Sequence, residues 1–230
     1  MNHALRAVLW DVGGTLAVLK TPSPVESISR TLARCSIDPQ LVPADRILDT
    51  HAAYLANERN WRTLYDEHRD RVTWAAGLLD GLGLPESFRH ALAVELRHYY
   101  DIYEPTPGIF DLLEELRDLG FRQAIVSNWP PSLPLFLKHH RLHHWFDTIV
   151  FSAEDGVHKP DPRIFHRALR RINVRPYEAV MIGDHPDWDI AGAAAIGLPA
   201  IHFDPRKQYA DRHADDVESL RELIMRWMNT

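Results

Sequence analysis

The feature that most constrains the fold is a recurrence of short, apolar, β-branched segments, each ending on a small or polar residue. They are Leu5 to Asp11, Phe121 to Asn128, Thr148 to Ala153, Ala179 to Asp184 and Pro199 to Phe203, and each reads as a strand. Helical patterns lie between the later ones: Gly108 to Leu119 closed by Gly120, Ser132 to His140, Asp161 to Ile172, and Asp187 to Ile196 closed by Gly197. Asp161-Pro162 sets an N-cap residue ahead of a proline at the first helical position. Strands alternating with helices imply right-handed βαβ units and a parallel sheet covered on both faces. The expected class is therefore α/β. The tail from Asp215 to Met228 places Val217, Leu220, Leu223, Ile224 and Trp227 on one helical face, which should dock on that core.

The first strand is separated from the second by more than a hundred residues, and most of that span, about Lys20 to Tyr103, has helical periodicity without a strand pattern. Helices are expected over Val25 to Ser36, Ala44 to Tyr65, Asp70 to Gly81 and Glu86 to Tyr103, punctuated by Pro22, Pro24, Pro39, Pro43, Pro85, Pro105 and Pro107. The expected organisation is a core of residues 1–16 and 106–230 with an inserted helical unit, 17–105.

Composition narrows the function classes. A chain of 230 residues with 45% hydrophobic and 25% charged side chains has enough material for a sizeable core without covalent staples. Cys35, its only cysteine, rules out an internal disulfide and a cysteine-based zinc site, as expected of a cytoplasmic protein. The apolar run before Asp11 is too short for a secretory signal, and Gly192, Gly197 and Pro199 interrupt the longest weakly polar stretch, so no membrane span is expected. A formal net charge of -6 argues against nucleic acid as the main partner.

In an open parallel sheet, ligands bind beyond the carboxyl ends of the strands. Asp11 ends the first strand and Ser127 and Asn128 the second; Lys159 follows the third by a short loop; Asp184 ends the fourth, with Asp187 and Asp189 just beyond. Carboxylates, a lysine and a hydroxyl on one rim suit a hard divalent cation and a phosphate, since Mg²⁺ takes one or two carboxylates plus substrate oxygens.

These residues sit in motifs that resemble those of the haloacid dehalogenase superfamily: Asp11-Val12-Gly13-Gly14-Thr15-Leu16 after a strand, Ile125-Val126-Ser127-Asn128, Gly156-Val157-His158-Lys159-Pro160-Asp161-Pro162, and Gly183-Asp184-His185-Pro186-Asp187-Trp188-Asp189 continuing to Ala193. The resemblance implies a Rossmann-like hydrolase core. The insert is similar to the mobile helical C1 cap of the family's first structural class, which closes over the rim through hinges near Thr21 and Thr106. It implies that Asp11 is a nucleophile forming a covalent aspartyl intermediate, that Thr15 and Ser127 hydrogen-bond the transferring group, and that Lys159 neutralises its charge. Asp11, Asp184 and the main-chain carbonyl of Gly13 would hold Mg²⁺. Asp189 would hold the metal's waters or orient Lys159, and Asn128 would border the leaving group. The expected activity is Mg²⁺-dependent phosphoryl transfer from a small phosphorylated metabolite, followed by hydrolysis.

One position departs from the family's phosphatases. Two residues after the nucleophile they carry a second aspartate, which protonates the leaving oxygen and then activates water; here it is Gly13. This DxGGT variant keeps two other readings in play: metal-independent hydrolysis of a 2-halo acid, and a catalytically weak binding protein. Asp184 and Asp189 speak against the dehalogenase, because dehalogenase-like relatives lack the carboxylate at the position of Asp184. His185, beside Asp184, is a candidate surrogate acid or base, with ordinary loop hydrogen bonding as the plainer reading. His139, His140, His143 and His144 include i, i+4 pairs, but the resemblance places a helix end and a loop there. Trp61, Arg62, Tyr65, His68, Arg69 and Trp74 are candidate substrate contacts, against the plainer reading that aromatics at helical spacing are core.

Overall fold

The structure, a computed structural model, describes residues 5–21, 23–96 and 102–228. Strand β1 (Ala7–Trp10) leads through a tight loop into β2 (Ala17–Leu19). Four helices follow: α1 (Pro24–Arg34), α2 (Ala44–Ala56), α3 (Leu64–Leu79) and α4 (Glu86–Glu95). Strand β3 (Tyr103–Pro105) returns and pairs with β2. The rest alternates: α5 (Ile109–Asp118), β4 (Arg122–Ser127), α6 (Leu133–His139), β5 (Thr148–Phe151), α7 (Ser152–Asp155), α8 (Pro162–Arg171), β6 (Ala179–Gly183), a π-helical turn Pro186–Ala191, α9 (Gly192–Ala194), β7 (Ala200–His202) and α10 (Val217–Met228).

The main sheet has five parallel strands in the order β5-β4-β1-β6-β7. Its class is the expected α/β, Rossmann-like. Both faces are buried, as parallel strands require. On one, Leu9, Val126, Val150 and Met181 pack with Ile164, Phe165, Ala168 and Leu169 of α8. Asp161 caps that helix by accepting from the Arg163 N–H at 2.9 Å. Buried Gln123 accepts from Trp10 Nε1 at 3.2 Å and donates to the Leu113 carbonyl of α5 at 2.9 Å, so a polar side chain within the sheet is satisfied. The tail helix α10 buries Leu220 and Ile224, and its Arg221 forms a bidentate pair with Glu115 of α5 at 2.6 and 2.7 Å.

The chain separates into two compact units, one of Met1–Val18, Glu104–Trp129 and Leu133–Thr230, the other of Leu19–Tyr103 and Pro130–Ser132. The second has its own core, in which Ile28 and Leu32 of α1, Ile47 and Tyr54 of α2, Trp61 of the segment before α3, Trp74 and Leu78 of α3 and Leu92 of α4 come together. Here two sequence expectations need correction. The helix expected over Ala44 to Tyr65 ends at Ala56 and a new one begins at Leu64, running through the expected start at Asp70. The cause is a capping box: Thr63 Oγ1 accepts from Asp66 N while Asp66 Oδ2 accepts from Thr63 N at 2.9 Å, a strong start signal. The helix expected to reach Tyr103 covers Glu86–Glu95, residues 97–101 lie outside the described ones, and Tyr103 is in a strand. Pairing with β2, including the Lys20 N–H donated to Ile102 O at 2.7 Å, outweighs local propensity there.

Candidate active site

The register of the sheet brings the site together. Trp10, the last residue of β1, pairs with Ile125 of β4 on one side and Ile182 of β6 on the other. Asp11, Ser127 and Asp184 therefore leave the sheet at the same edge. The chain also switches direction here, adding β4 and β5 on one side of β1 and then β6 and β7 on the other. A crevice opens at such a switch point.

Asp11 is 6% exposed, and its Oδ1 accepts from Ser127 Oγ at 2.9 Å and from Lys159 Nζ at 2.5 Å. Among the described residues none bonds Oδ2. Lys159, 2% exposed, also donates to Asp189 Oδ1 at 2.6 Å. Burial by itself lowers the ammonium's pKa, but the two carboxylates outweigh it and the net shift is upward. Lys159 is thus a fixed positive charge. Asn128 holds its backbone, accepting from Lys159 N at 2.7 Å and donating to Lys159 O at 3.1 Å. Asp189 reaches inward from the π-helical turn, where a regular helix was expected; its Oδ2 accepts from His185 N at 3.0 Å, so both its oxygens are engaged. It packs against Gly183, where any Cβ would collide with it.

The loop after Asp11 depends on Gly14, which has φ +84° and lies so close to Asp184 Oδ2 that a Cβ would overlap it. Thr106 Oγ1 donates to Thr15 O at 2.6 Å and fastens the loop from below. The Thr15 hydroxyl is buried without a partner among the described residues. An orphaned buried hydroxyl four residues after Asp11 fits a ligand oxygen.

One oxygen from each of Asp11, Asp184 and Asp189 lies within 4.8 Å of the others, the one cluster among the described residues with this metal-ligand geometry. Burial, then the charges of Asp11 and Asp189, push Asp184 up to about 7; burial pushes Asp189 up to about 6 despite Lys159. Crowded hard oxygens that ionise reluctantly on their own are a fitting donor set for a divalent cation such as Mg²⁺. Arg206, on the loop after β7, bonds Asp184 Oδ2 at 2.5 Å.

Gly13 lies against the indole of Trp129, with the Cβ of any larger residue 3.2 Å from Cζ3. Trp129 is itself clamped, its N–H donating to Ser152 Oγ at 3.0 Å and its carbonyl accepting from the same hydroxyl at 3.3 Å. The imidazole of His185 is held by the turn that follows it. Its Nδ1 accepts from Asp187 N and Trp188 N at 3.2 and 3.3 Å, which assigns the neutral ring's proton to Nε2, and burial lowers its pKa. The ring stacks on Trp188 at 4.0 Å.

Sequence reasoning pointed to Asp11, Ser127, Asn128, Lys159, Asp184 and Asp189, and the structure brings their side chains or backbones together. It passed over Arg206, Trp129 and Ser152, and named Thr106 only as a hinge position. Extending the strand-end rule to β7 would have reached Arg206; the others carry no local signal. Of the inserted unit's candidates, Trp61 and Trp74 are core, while Arg62, Tyr65, His68 and Arg69 are exposed. His139 ends α6 and His143 and His144 lie in a 3₁₀ turn, as expected of a helix end and loop.

A parallel α/β sheet carrying a buried Asp-Lys-Asp constellation at its switch point defines a hydrolase of the Rossmann-like kind. The profile of the haloacid dehalogenase-like hydrolases matches residues 5–197, and the chain belongs to that family. It is 31% identical to a glyceraldehyde 3-phosphate phosphatase of Methanopyrus kandleri, over 96% of each chain. Among solved structures it is similar to a HAD phosphatase from Thermococcus onnurineus (24% identity, TM-score 0.63, 96% of this chain and 98% of that one). A 2-haloacid dehalogenase from Pseudomonas syringae pv. Tomato is comparably similar (24% identity, TM-score 0.67, 97% and 99%). Fold likeness at this level does not separate the two chemistries.

Proposed function

We propose that this chain is a cytoplasmic, Mg²⁺-dependent phosphatase of a small phosphorylated metabolite, acting through an aspartyl-phosphate on Asp11, with residues 17–105 as its helical cap. The observation that carries the reading is the double hold on one oxygen of Asp11, by Lys159 and Ser127, beside two further carboxylates. A dehalogenase has no use for Asp184. The curated relative named a phosphatase supports the same choice. No helix among the described residues is long and apolar enough to cross a membrane.

With Oδ1 anchored, Asp11 Oδ2 attacks phosphorus; the new P–O bond forms as the bond to the leaving oxygen breaks, and that oxygen takes a proton from solvent water. Lys159 and Ser127 offset charge on the transferring oxygens, and the Thr15 hydroxyl donates to one of them. Asp189 keeps Lys159 aimed. Mg²⁺, held by Asp11, Asp184 and the carbonyl of Gly13 with Asp189 alongside, would neutralise carboxylate and phosphoryl charge. In the second half, water attacks phosphorus and Asp11 leaves as carboxylate. Neither Gly13 nor His185 offers a base for this step, so hydrolysis of the intermediate limits turnover and esters of weakly basic leaving groups are favoured.

The test is a panel of phosphate esters with and without Mg²⁺, beside acid-quench trapping of phosphoenzyme, with Asp11→Asn as the blank. Mg²⁺-dependent phosphate release with label on wild type alone is expected. Release of halide from 2-halo acids without metal, or no turnover of any ester, would refute the reading.

A further inference from the structure

We propose that Arg206 competes with the divalent cation for Asp184 and thereby sets how tightly the site holds metal; this rests on the reading of Asp11 and Asp184 as metal ligands. The Arg206 side chain is 29% exposed and that of Asp184 11%, so the guanidinium reaches from the solvent side onto a buried carboxylate, with Nη2 2.5 Å from Oδ2. It also lies against the loop that follows the nucleophile: a Cβ on Gly14 would meet both Asp184 Oδ2 and, at 2.9 Å, Arg206 Nη2. The loop that carries Arg206 is built locally. Asp204 accepts from Lys207 N at its carbonyl, at 3.0 Å, and from Tyr209 N at its carboxylate, at 2.7 Å.

A small hard cation with strict octahedral demands needs an oxygen lone pair aimed at it. Here one oxygen of Asp184 is already committed to a charge-assisted bond. If the metal takes the other oxygen of the same carboxylate, the guanidinium still opposes it as a positive charge a few ångströms away. Charge arithmetic points the same way. Asp11, Asp184 and Asp189 against Lys159 and Arg206 leave the cluster one negative charge when all are ionised; turning Arg206 out to solvent leaves two. Metal entry and the hold of Arg206 on Asp184 therefore oppose each other, whichever oxygen the metal takes. Arg206 keeps the buried carboxylate paired in the absence of a cation and lowers the affinity for one.

Calorimetric titration of Mg²⁺ into wild type, Arg206→Gln and Arg206→Lys, at pH 8 and fixed ionic strength, tests this, with Asp184→Asn as the control for the metal site. A unit charge removed ~6 Å from a divalent ion in a water-like dielectric corresponds to roughly ten-fold tighter binding, expected for Gln, with Lys in between. Thermal denaturation supplies a second readout: in chelator, Arg206→Gln should melt below wild type, and Mg²⁺ should raise its Tm by more than it raises the wild type's. If folded Arg206→Gln binds Mg²⁺ no more tightly than wild type while Asp184→Asn abolishes binding, the competition is refuted and the metal site stands. If neither wild type nor Arg206→Gln binds Mg²⁺, the metal reading falls and this proposal with it.

Discussion

Restoring the missing carboxylate is the perturbation that most sharply probes the mechanism. Gly13 lies outside the left-handed region, so its backbone accepts a side chain. The obstacle is Trp129: a Cβ at 13 would sit 3.2 Å from Cζ3 and 3.9 Å from Cε3, a few tenths of an ångström too close to the first. The indole does not swing aside freely, because Ser152 holds its backbone and Phe136 packs on its ring at 5.0 Å. Overpacking of this kind costs about 1–3 kcal/mol, whereas general acid and base help is worth about 10² to 10⁴-fold, or roughly 3–5 kcal/mol. Gly13→Asp alone should therefore gain between nothing and roughly 10³-fold in turnover, with the carboxylate pushed off its best position. Gly13→Asp/Trp129→Leu should gain more, and the excess over the two single changes measures the coupling. Stopped-flow kinetics on an aryl phosphate, with acid-quench measurement of phosphoenzyme and circular dichroism to confirm folding, reads both quantities. Wild type should accumulate phosphoenzyme and the double variant should not. If both aspartate variants are folded and turn over at the wild-type rate, the argument that position 13 limits the second step is wrong.

Three further outcomes are expected. Lys159→Gln leaves Asp11 and Asp189 buried together without their shared cation, so it should lose about 3–5 kcal/mol at pH 8 by urea denaturation, and less at pH 4, below the raised pKa of Asp189. Gly14→Ala combines φ +84° with a methyl on Asp184 and should cost about 2–4 kcal/mol, against about 1 kcal/mol for Gly81→Ala, where φ is +72° and the space is open; equal losses would deny the close approach. Glu58 is pushed up to about 7 by burial and the neighbouring Glu67. The folded chain then binds more protons than the unfolded one between the ordinary glutamate pKa and 7, so its stability falls as pH rises through that window. Glu58→Gln lacks the loss: urea curves should agree near pH 4 and favour the variant by about 3 kcal/mol at pH 8.

What the sequence alone determined were the strands of the main sheet and which chemical groups end them. Runs such as Val8-Leu9-Trp10 and Val180-Met181-Ile182 are apolar throughout because a parallel strand is buried on both faces, and that pattern is local. The same rule lets Asp11, Ser127, Asp184 and Lys159 be named together, since every parallel strand ends at one edge. Even the break before Thr63 was legible in Thr63-x-x-Asp66, though it was passed over. Tertiary structure decided the rest. That Trp61 and Trp74 are core whereas Tyr65 is 72% exposed depends on which helices pack around them, not on their spacing. That His185 has its Nδ1 spent on two backbone N–H groups depends on a π-helical turn that periodicity does not encode. Trp129 on Gly13 and Arg206 on Asp184 join positions 116 and 22 apart in the chain. Their meeting is set by strand order and loop path, which no window of neighbouring residues contains.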